Sequence, residues 1–472
     1  MSAPDHRLDR SFRSLVTVLV LGAVLALVNT TIVGVALPQI GAEFGSGIGP
    51  LSWVGTAYVL AIGVAIPLSG WASIRFGLRR TWLGALGLFV LGSAITAIAP
   101  GLEELIAARV VQGLGGGMLE PIMLTAIAQA AGPARMGRAM GIVAGAIGVG
   151  PLIGPALGGV AVDVLDWRWM FAVFVPLGLI ALLLSLRIDL GGATTPKRLD
   201  RIGLLLIATG SVGIIYGLSQ ASRPEGIATL GWLAGVVGVA LLLAYVGWAN
   251  RRGDESIVPL APFRVRGFVS AATVMLLLGA AIYPLFYGLP QFFQGVLGYG
   301  ALGSGLLLIP HGAGALVGMT AGGRLSDRHS TRLLVVSGGA AATLGGVAYV
   351  GAGAGAPVWV YAAASVVTGV GVGFVGGPTV SSIYRVLEPA LVPNGSTVLF
   401  ILNQLGGALG IAAMTVVIGA AGGGATEWGP DAGTIPMLLP TVGAAIIVAV
   451  ATRLSGVPEA PTEMRSEVKA AT

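Results

Sequence analysis

Of the 20 acidic residues, Glu120 is the one that stands clearly inside a long apolar run; the others fall in polar stretches or at the ends of such runs. An ionisable group at bilayer depth costs several kcal/mol unless it is paired, hydrated or protonated. Two roles fit a carboxyl in that position: a proton carrier, or a fixed hydrogen bond to a neighbouring helix. Arg109 lies eleven residues earlier in the same run. At about 100° per residue the two side chains return to nearly one helix face, roughly 16 Å apart along the axis. Gly113 and Gly116 fall on that face too, and a polar stripe bounded by small residues suits the wall of a watery cavity. Arg109 could instead snorkel to the membrane interface.

The remaining polar residues inside apolar runs are Asn29, Tyr58, Gln112, Gln291, Asn403 and Gln404, with His311 as a further titratable group. Taken singly, each suits a helix–helix hydrogen bond, and His311 a packing histidine. As a set they make a largely apolar cavity with few polar anchors. Other chemistries are excluded by residue type. Cysteine is absent, and the three histidines, His6, His311 and His329, are too dispersed for a metal cluster. The glycine runs at 113–117 and 421–424 lack the lysine of a phosphate-binding loop, so direct ATP coupling is not expected. Neither enzymatic activity nor a cofactor or metal is expected.

The elements that must position these groups follow from composition. The chain of 472 residues is 55% hydrophobic and 10% charged, against roughly a quarter charged in soluble domains. Inside a bilayer every backbone polar group must be satisfied within the segment, which helices of about 20 residues achieve. Fourteen such spans are expected, near 14–37, 51–73, 81–100, 105–130, 138–162, 169–187, 203–221, 229–249, 267–289, 301–323, 333–352, 357–379, 394–421 and 433–453. With both termini in the cytoplasm, 23 of the 26 Lys and Arg fall on the inner side, as the positive-inside rule requires. The basic balance is then a topological feature, and no nucleic-acid partner is implied. Phe292 and Phe293 are expected in an aromatic belt at the outer interface.

The turn after the second span, from Gly70 through Arg75, Gly77 and Arg79 to Arg80, resembles the turn after the tenth, from Gly323 through Asp327 and Arg328 to Arg332. This recurrence suggests two six-span bundles, 1–187 and 267–453. Residues 188–266 then form an inserted hairpin with basic linkers, and 454–472 a cytoplasmic tail. Gly150, Gly154 and Gly158 repeat every four residues and form a smooth ridge for close helix approach. With Pro151 and Pro155 they are expected to form a bent hinge between the bundles.

The sequence resembles the fourteen-span drug:proton antiporters of the major facilitator superfamily. The spacing of Gly141, Gly150, Gly154, Pro155, Gly158 and Gly159 matches that family's antiporter motif. Arg109, Gln112, Gly113 and Gly115 are similar to its span-four motif, and Trp167, Arg168, Trp169, Phe171, Pro176 and Gly178 to the opening of span six. Leu289, Pro290, Gly298, Tyr299 and Pro310 fall where the family places them around spans nine and ten, and Gln404, Gly406, Gly407 and Gly410 resemble span thirteen. Three positions depart: Asn29 replaces the usual span-one aspartate, Ile74 an acid of the first basic turn, and Phe174 an asparagine.

The resemblance implies a major facilitator fold and a proton-coupled exporter in a bacterial plasma membrane, with lipophilic drug-like or secondary-metabolite cargo. Glu120 and Arg109 would couple protons, the antiporter motif would limit leak, and Gly70, Arg75, Gly77, Arg79, Arg138, Asp327 and Arg328 would form a cytoplasmic gate. A monomer is expected, its partners being cargo, protons and the lipid bilayer. Asn29 leaves open a lipid or lipid-like metabolite transporter without ordinary proton coupling. A transport-inactive membrane scaffold or sensor is the reading of another class.

Overall fold

The computed structural model describes residues 10–188, 190, 198–220, 229–326, 329–353, 355–388, 391–420 and 434–453. Among these residues the regular elements are all helical. Twelve helices are long and apolar enough to cross a bilayer, and two shorter apolar helices, Leu152–Val164 and Ile435–Ala451, accompany them.

The first helices are α1 (Arg10–Phe44), α2 (Ile48–Phe76), α3 (Leu78–Ala97) and α4 (Leu102–Val164). Gly77 alone separates α2 from α3 and has φ +84°, a left-handed value that glycine adopts without a Cβ penalty. A one-residue turn of this kind sends the chain straight back, which is why the basic turn is short. Helix α4 runs for 63 residues, or about 95 Å if straight. Its contacts show that it is not straight. Arg109 meets Asn29 and Gly116 meets Ala26, so the first arm runs antiparallel to α1. Gly150 meets Leu27 and Gly158 meets Ile32, so the last arm runs parallel to it. The direction therefore reverses between Ala131 and Gly150, and the single helical run supplies two spans. The next span is broken at Val173 into α5 (Trp167–Ala172) and α6 (Phe174–Ser185).

The remaining helices are α7 (Arg201–Gln220), α8 (Thr229–Arg252), α9 (Arg266–Gln291), α10 (Ala301–Leu325), α11 (Thr331–Ala352), α12 (Val358–Val386), α13 (Val392–Ala420) and α14 (Leu438–Arg453). Helix α4 packs on α1, α2 and α3, while α9, α11 and α14 join α10, α12 and α13 in a second packed group. Helices α7 and α8 pack on each other, and α7 also touches α2 and α13. Asp200 anchors this hairpin: its carboxylate accepts from Gly203 N, Trp248 Nε1 and Ile257 N at 2.9, 2.9 and 3.1 Å. Outward-facing Trp232, Leu233, Val236 and Leu243 of α8 are exposed, the pattern of a helix facing lipid.

Two expectations are corrected. Phe292 and Phe293 are fully buried instead of forming a surface belt. A π-helical stretch, Phe292–Val296, turns both rings inward against Tyr361. The ridge of Gly150, Gly154 and Gly158 does not join the two packed groups. It lies against Leu27, Val28, Thr31 and Ile32 of α1, with Thr31 Oγ1 donating to the Gly150 carbonyl at 3.1 Å. The contact across the junction is made by Pro155 and Gly159, which meet Gly305 and Ala301 of α10. A helix rotates 100° per residue, so neighbours in one motif serve two partners. Gly141 and Arg138 fall within α4, but the packing around Gly141 and the side chain of Arg138 are not described, and Asp327 and Arg328 lie outside the described residues.

Candidate functional site

Two polar sites lie along the first arm of α4. The first is centred on Arg109, which is fully buried. Its Nε donates to the Val54 carbonyl at 3.0 Å, and its Nη1 donates to Gln112 Oε1 at 2.5 Å and to Asn29 Oδ1. Gln112 Nε2 donates to Ser93 Oγ at 2.8 Å, and Ser93 donates to the Phe89 carbonyl at 2.7 Å. The guanidinium lies 3.9 Å from the Tyr58 ring centroid and 5.4 Å from that of Phe171, a cation–π arrangement. The Tyr58 hydroxyl donates to the Ala26 carbonyl at 3.1 Å. Helices α1, α2, α3, α4 and α5 are thus tied by one knot of side chains. Arg109 does not snorkel, because its planar fork finds oxygen acceptors and aromatic faces within the bundle.

The stripe joining Arg109 to Glu120 is not a cavity wall. A Cβ at Gly113 would meet the Tyr58 carbonyl and Ala61, and one at Gly116 the Tyr58 hydroxyl and Ala26. The two glycines let α4 approach α2 and α1 closely, so helix contact separates the two charged groups.

Glu120 is the second site. It is half-buried, and no hydrogen bond or ion pair holds it among the described residues. Glu120 lies within electrostatic range of Tyr283 of α9, in the other packed group. Tyr283 donates to Gln404 of α13. Gln404 in turn lies opposite Gly63 of α2. Nearby, Tyr58, Ile62 and Ile66 pack against Phe400 and Ile401. The faces of α2 and α13 that meet at this junction are largely aromatic and aliphatic.

The other expected anchors lie apart from this site. Gln291 is buried and donates to the Tyr287 carbonyl at 3.0 Å, one turn back on its own helix. Asn403 donates to the Met275 carbonyl at 3.2 Å. His311 is fully buried, edge-on to Phe286 with centroids 5.3 Å apart. Gly70, Arg75 and Arg79 of the basic turn are exposed, and Arg79 donates to the Leu186 carbonyl at 2.9 Å.

The end of the bundle where α1 finishes, the Phe44 end, is closed across the junction. Asp163 accepts from Ala301 N at 3.1 Å and from Leu302 N at 2.9 Å. Helix α10 has Gly300 as its N-cap residue and no side-chain cap of its own. Asp163 caps it from α4, placing a carboxylate at the positive end of a helix dipole. Gln294 Nε2 donates to the Val35 carbonyl at 3.0 Å, and Gly34 lies against the Phe286 carbonyl.

Sequence reasoning missed Tyr283 and Asp163. Tyr283 and Tyr287, four residues apart, mark a polar stripe on α9, but the spacing does not tell which faces the junction. Asp163 sits in the last turn of α4, where an acid opposes its own helix dipole. That misplacement was a readable sign of a partner elsewhere.

Comparison with known proteins is consistent over most of the chain. The Major Facilitator Superfamily matches residues 19–411. A multidrug resistance protein B homolog of Mycobacterium tuberculosis is 35% identical over 423 residues, covering 88% of this chain and 78% of that protein. A putative multidrug resistance protein MdtD of Cronobacter sakazakii is 29% identical over 422 residues, covering 88% of each. In three dimensions, the crystal structure of a D-xylose-proton symporter superposes with a TM-score of 0.66 at 16% identity, covering 93% of this chain and 97% of that one. The inward open xylose transporter XylE from E. coli gives 0.66 at 15% identity over 98% and 99%. At these identities the structural likeness speaks for the fold alone.

Proposed function

We propose that this chain, which belongs to the Major Facilitator Superfamily, exports lipophilic small molecules by alternating access in exchange for protons. It is a multi-pass membrane transporter with relatives among fourteen-span multidrug resistance proteins, and it is not an enzyme. The observation that carries the finer reading is Glu120: a carboxyl inside an apolar span, without a hydrogen-bond or ion-pair partner among the described residues and within electrostatic range of Tyr283 in the other helix group. A group that is to take up and release a proton must not be locked into a static pair. The largely aromatic and aliphatic faces of α2 and α13 suit drug-like or secondary-metabolite cargo, neutral or monocationic, better than strongly hydrated ions.

With both termini in the cytoplasm, the Phe44 end faces outward in a bacterial plasma membrane. The Asp163 and Gln294 contacts then close the outside, and cargo loads from the cytoplasm or inner leaflet. Release outward requires these contacts to part, and protonation of Glu120 from outside favours return. Arg109 supplies a fixed positive charge that holds the wall on which Glu120 is mounted. The basic turn from Gly70 to Arg80, with Arg138, Asp327 and Arg328, forms the inner gate.

The test is substrate-stimulated proton movement in proteoliposomes over a small panel of lipophilic compounds. Wild-type protein is expected to couple the two, and Glu120→Gln to lose the coupling while folding normally. Unchanged pH-driven export by that variant defeats the assignment. Asn29 favours a second reading, a lipid or lipid-like metabolite transporter, because the family acid is missing from span one. Export of amphipaths that ignores protonophores selects that alternative.

A further inference from the structure

The two ends of the α7–α8 hairpin have different neighbours. At the end away from Phe44, the cytoplasmic end in the proposed orientation, Tyr245 and Ala249 of α8 and Val258 of the following linker are buried in one apolar cluster with Phe268 of α9 and Val398 and Leu399 of α13. Leu206 and Ile207 of α7 pack against the same cluster. Among the described residues it draws on α9, α11, α12, α13 and α14 and on no residue of α1 to α6. Polar bonds hold this base together. Tyr245 Oη donates to the Val258 carbonyl at 2.6 Å and accepts from Val258 N at 3.0 Å. The Asp200 carboxylate ties Trp248 of α8 to Ile257 of the linker. That linker leads into α9, so the base of the hairpin belongs to the core of the second packed group.

Further along, α7 lies on the seam between α2 and α13 and touches both. Ile215 of α7 is fully buried in the cluster that also holds Val54 and Leu60 of α2 and Ile411 and Met414 of α13. The seam is closed by Gly55 against Ile411, by Gly63 against Gln404, and by Ile62 and Ile66 against Phe400 and Ile401. Beyond these contacts Gly70 faces open space, and Ile74 and Phe76 are exposed. There α2 stands clear of the cluster that holds the hairpin base.

We propose that the hairpin is a flap fixed to the second packed group: it travels with α13, slides over α2, and covers the seam between them against membrane lipid. The inference rests on the alternating access proposed above, in which the seam parts at one end while it closes at the other. A helix laid across two moving bodies cannot keep both contacts. The continuous apolar core and the polar bonds of the base lie on the second group, so the contact with α2 is the one that yields, as a shear between packed helices. Outward-facing Leu233 and Val236 of α8 keep the outside of the flap in lipid. A parted seam would otherwise admit acyl chains, and with the flap in place lipophilic cargo of the inner leaflet must enter elsewhere. The inference does not depend on Glu120 carrying protons.

The chain has no native cysteine, so Ile74→Cys, Ile202→Cys and Ser396→Cys are introduced in pairs into the full-length protein and spin-labelled in nanodiscs. Distances are measured in acidic and neutral buffer and in the Gly34→Val background. The pair at Ile74 and Ser396 reports whether α2 and α13 part. The distance from Ile202 to Ser396 is expected to stay constant, while that from Ile202 to Ile74 changes in step with the reporter pair. A change in the Ile202–Ser396 distance, with or without a change in Ile202–Ile74, overturns the proposal alone. A reporter distance that never changes overturns it together with alternating access. Covering is read separately, from a bimane at Ile401→Cys in the seam. It is expected to escape quenching by spin-labelled lipid in the otherwise native chain and to be quenched when Asp200→Ala loosens the base. Trp248→Phe, which removes one bond to the same carboxylate, replaces Asp200→Ala if that variant does not fold. Quenching with the hairpin intact, or none after it is loosened, overturns the seal.

Discussion

Arg109 and Glu120 sit on one arm of one helix, and the fold uses their charges in opposite ways. Around Arg109, five helices deliver acceptors and aromatic faces until the side chain is fully enclosed. Around Glu120 the chain offers no hydrogen bond or ion pair among the described residues, and Tyr283 of the other helix group lies within electrostatic range. The contrast teaches where polarity in a membrane protein is structural and where it is available for chemistry. A group held by several partners at once resists change of state, because each lost partner leaves a buried polar atom unsatisfied. A group left free at a boundary between moving parts can change its charge without breaking anything.

The sharpest way to break this comparison is to neutralise each member. Glu120→Gln is expected to reduce pH-driven transport to the background of empty liposomes while leaving the melting midpoint nearly unchanged; a large loss of stability would show that Glu120 is structural after all. Arg109→Met is expected to do the reverse. It orphans the acceptors of Asn29, Gln112 and Val54, at about 1–3 kcal/mol for each group that finds no new partner. Denaturant or thermal unfolding should show this loss even where some transport survives.

Smaller effects test whether the junction moves as the comparison requires. Gly34→Val places a side chain against the Phe286 carbonyl and should force the Phe44 end apart. Spin labels placed across that junction, in a chain with no native cysteine, should report a longer distance. Asp163→Ala removes the cap of α10 and should bias the same equilibrium by about 1 kcal/mol, roughly fivefold in population. An unchanged distance distribution in Asp163→Ala would assign that carboxylate to helix stability alone. Tyr283→Phe should have the smallest effect, shifting the pH at which transport is half-maximal with little change in maximal rate, because it removes only the hydroxyl that donates to Gln404, a polar group within electrostatic range of Glu120. If its pH profile superposes on the wild type, the junction is not electrically coupled to the carboxyl.

Much of this organisation was legible in the residue order. The apolar spans and their number followed from hydropathy and from the alternation of Lys and Arg, and the superfamily from the resemblance of several motifs to that family, Gly150, Gly154 and Gly158 among them. Glu120 stood out because an acid within an apolar run is costly. The partners were less legible. The glycines every fourth residue announced a close helix contact, but not that it is with α1. Gly159, one residue beyond the ridge, faces a different helix altogether. Phe292 and Phe293 read as a surface belt because nothing local announces a π-helical turn.

Asn29, Tyr58, Gln112 and Arg109 are each recognisable as polar residues in apolar surroundings; singly the first three suit helix–helix hydrogen bonds, as a set they suggest a cavity, and Arg109 reads as a proton-coupling group. Only the tertiary structure makes them one knot. Hydropathy and periodicity report the medium around a side chain and the face it occupies, since both follow from the local helix and the cost of burying polar atoms. Which acceptor a donor finds depends on how helices far apart in the chain cross, and that is set by the packing of all of them together. The membrane, the spans and the costly carboxyl belonged to the sequence; the choice of which charge to bind and which to leave free belonged to the fold.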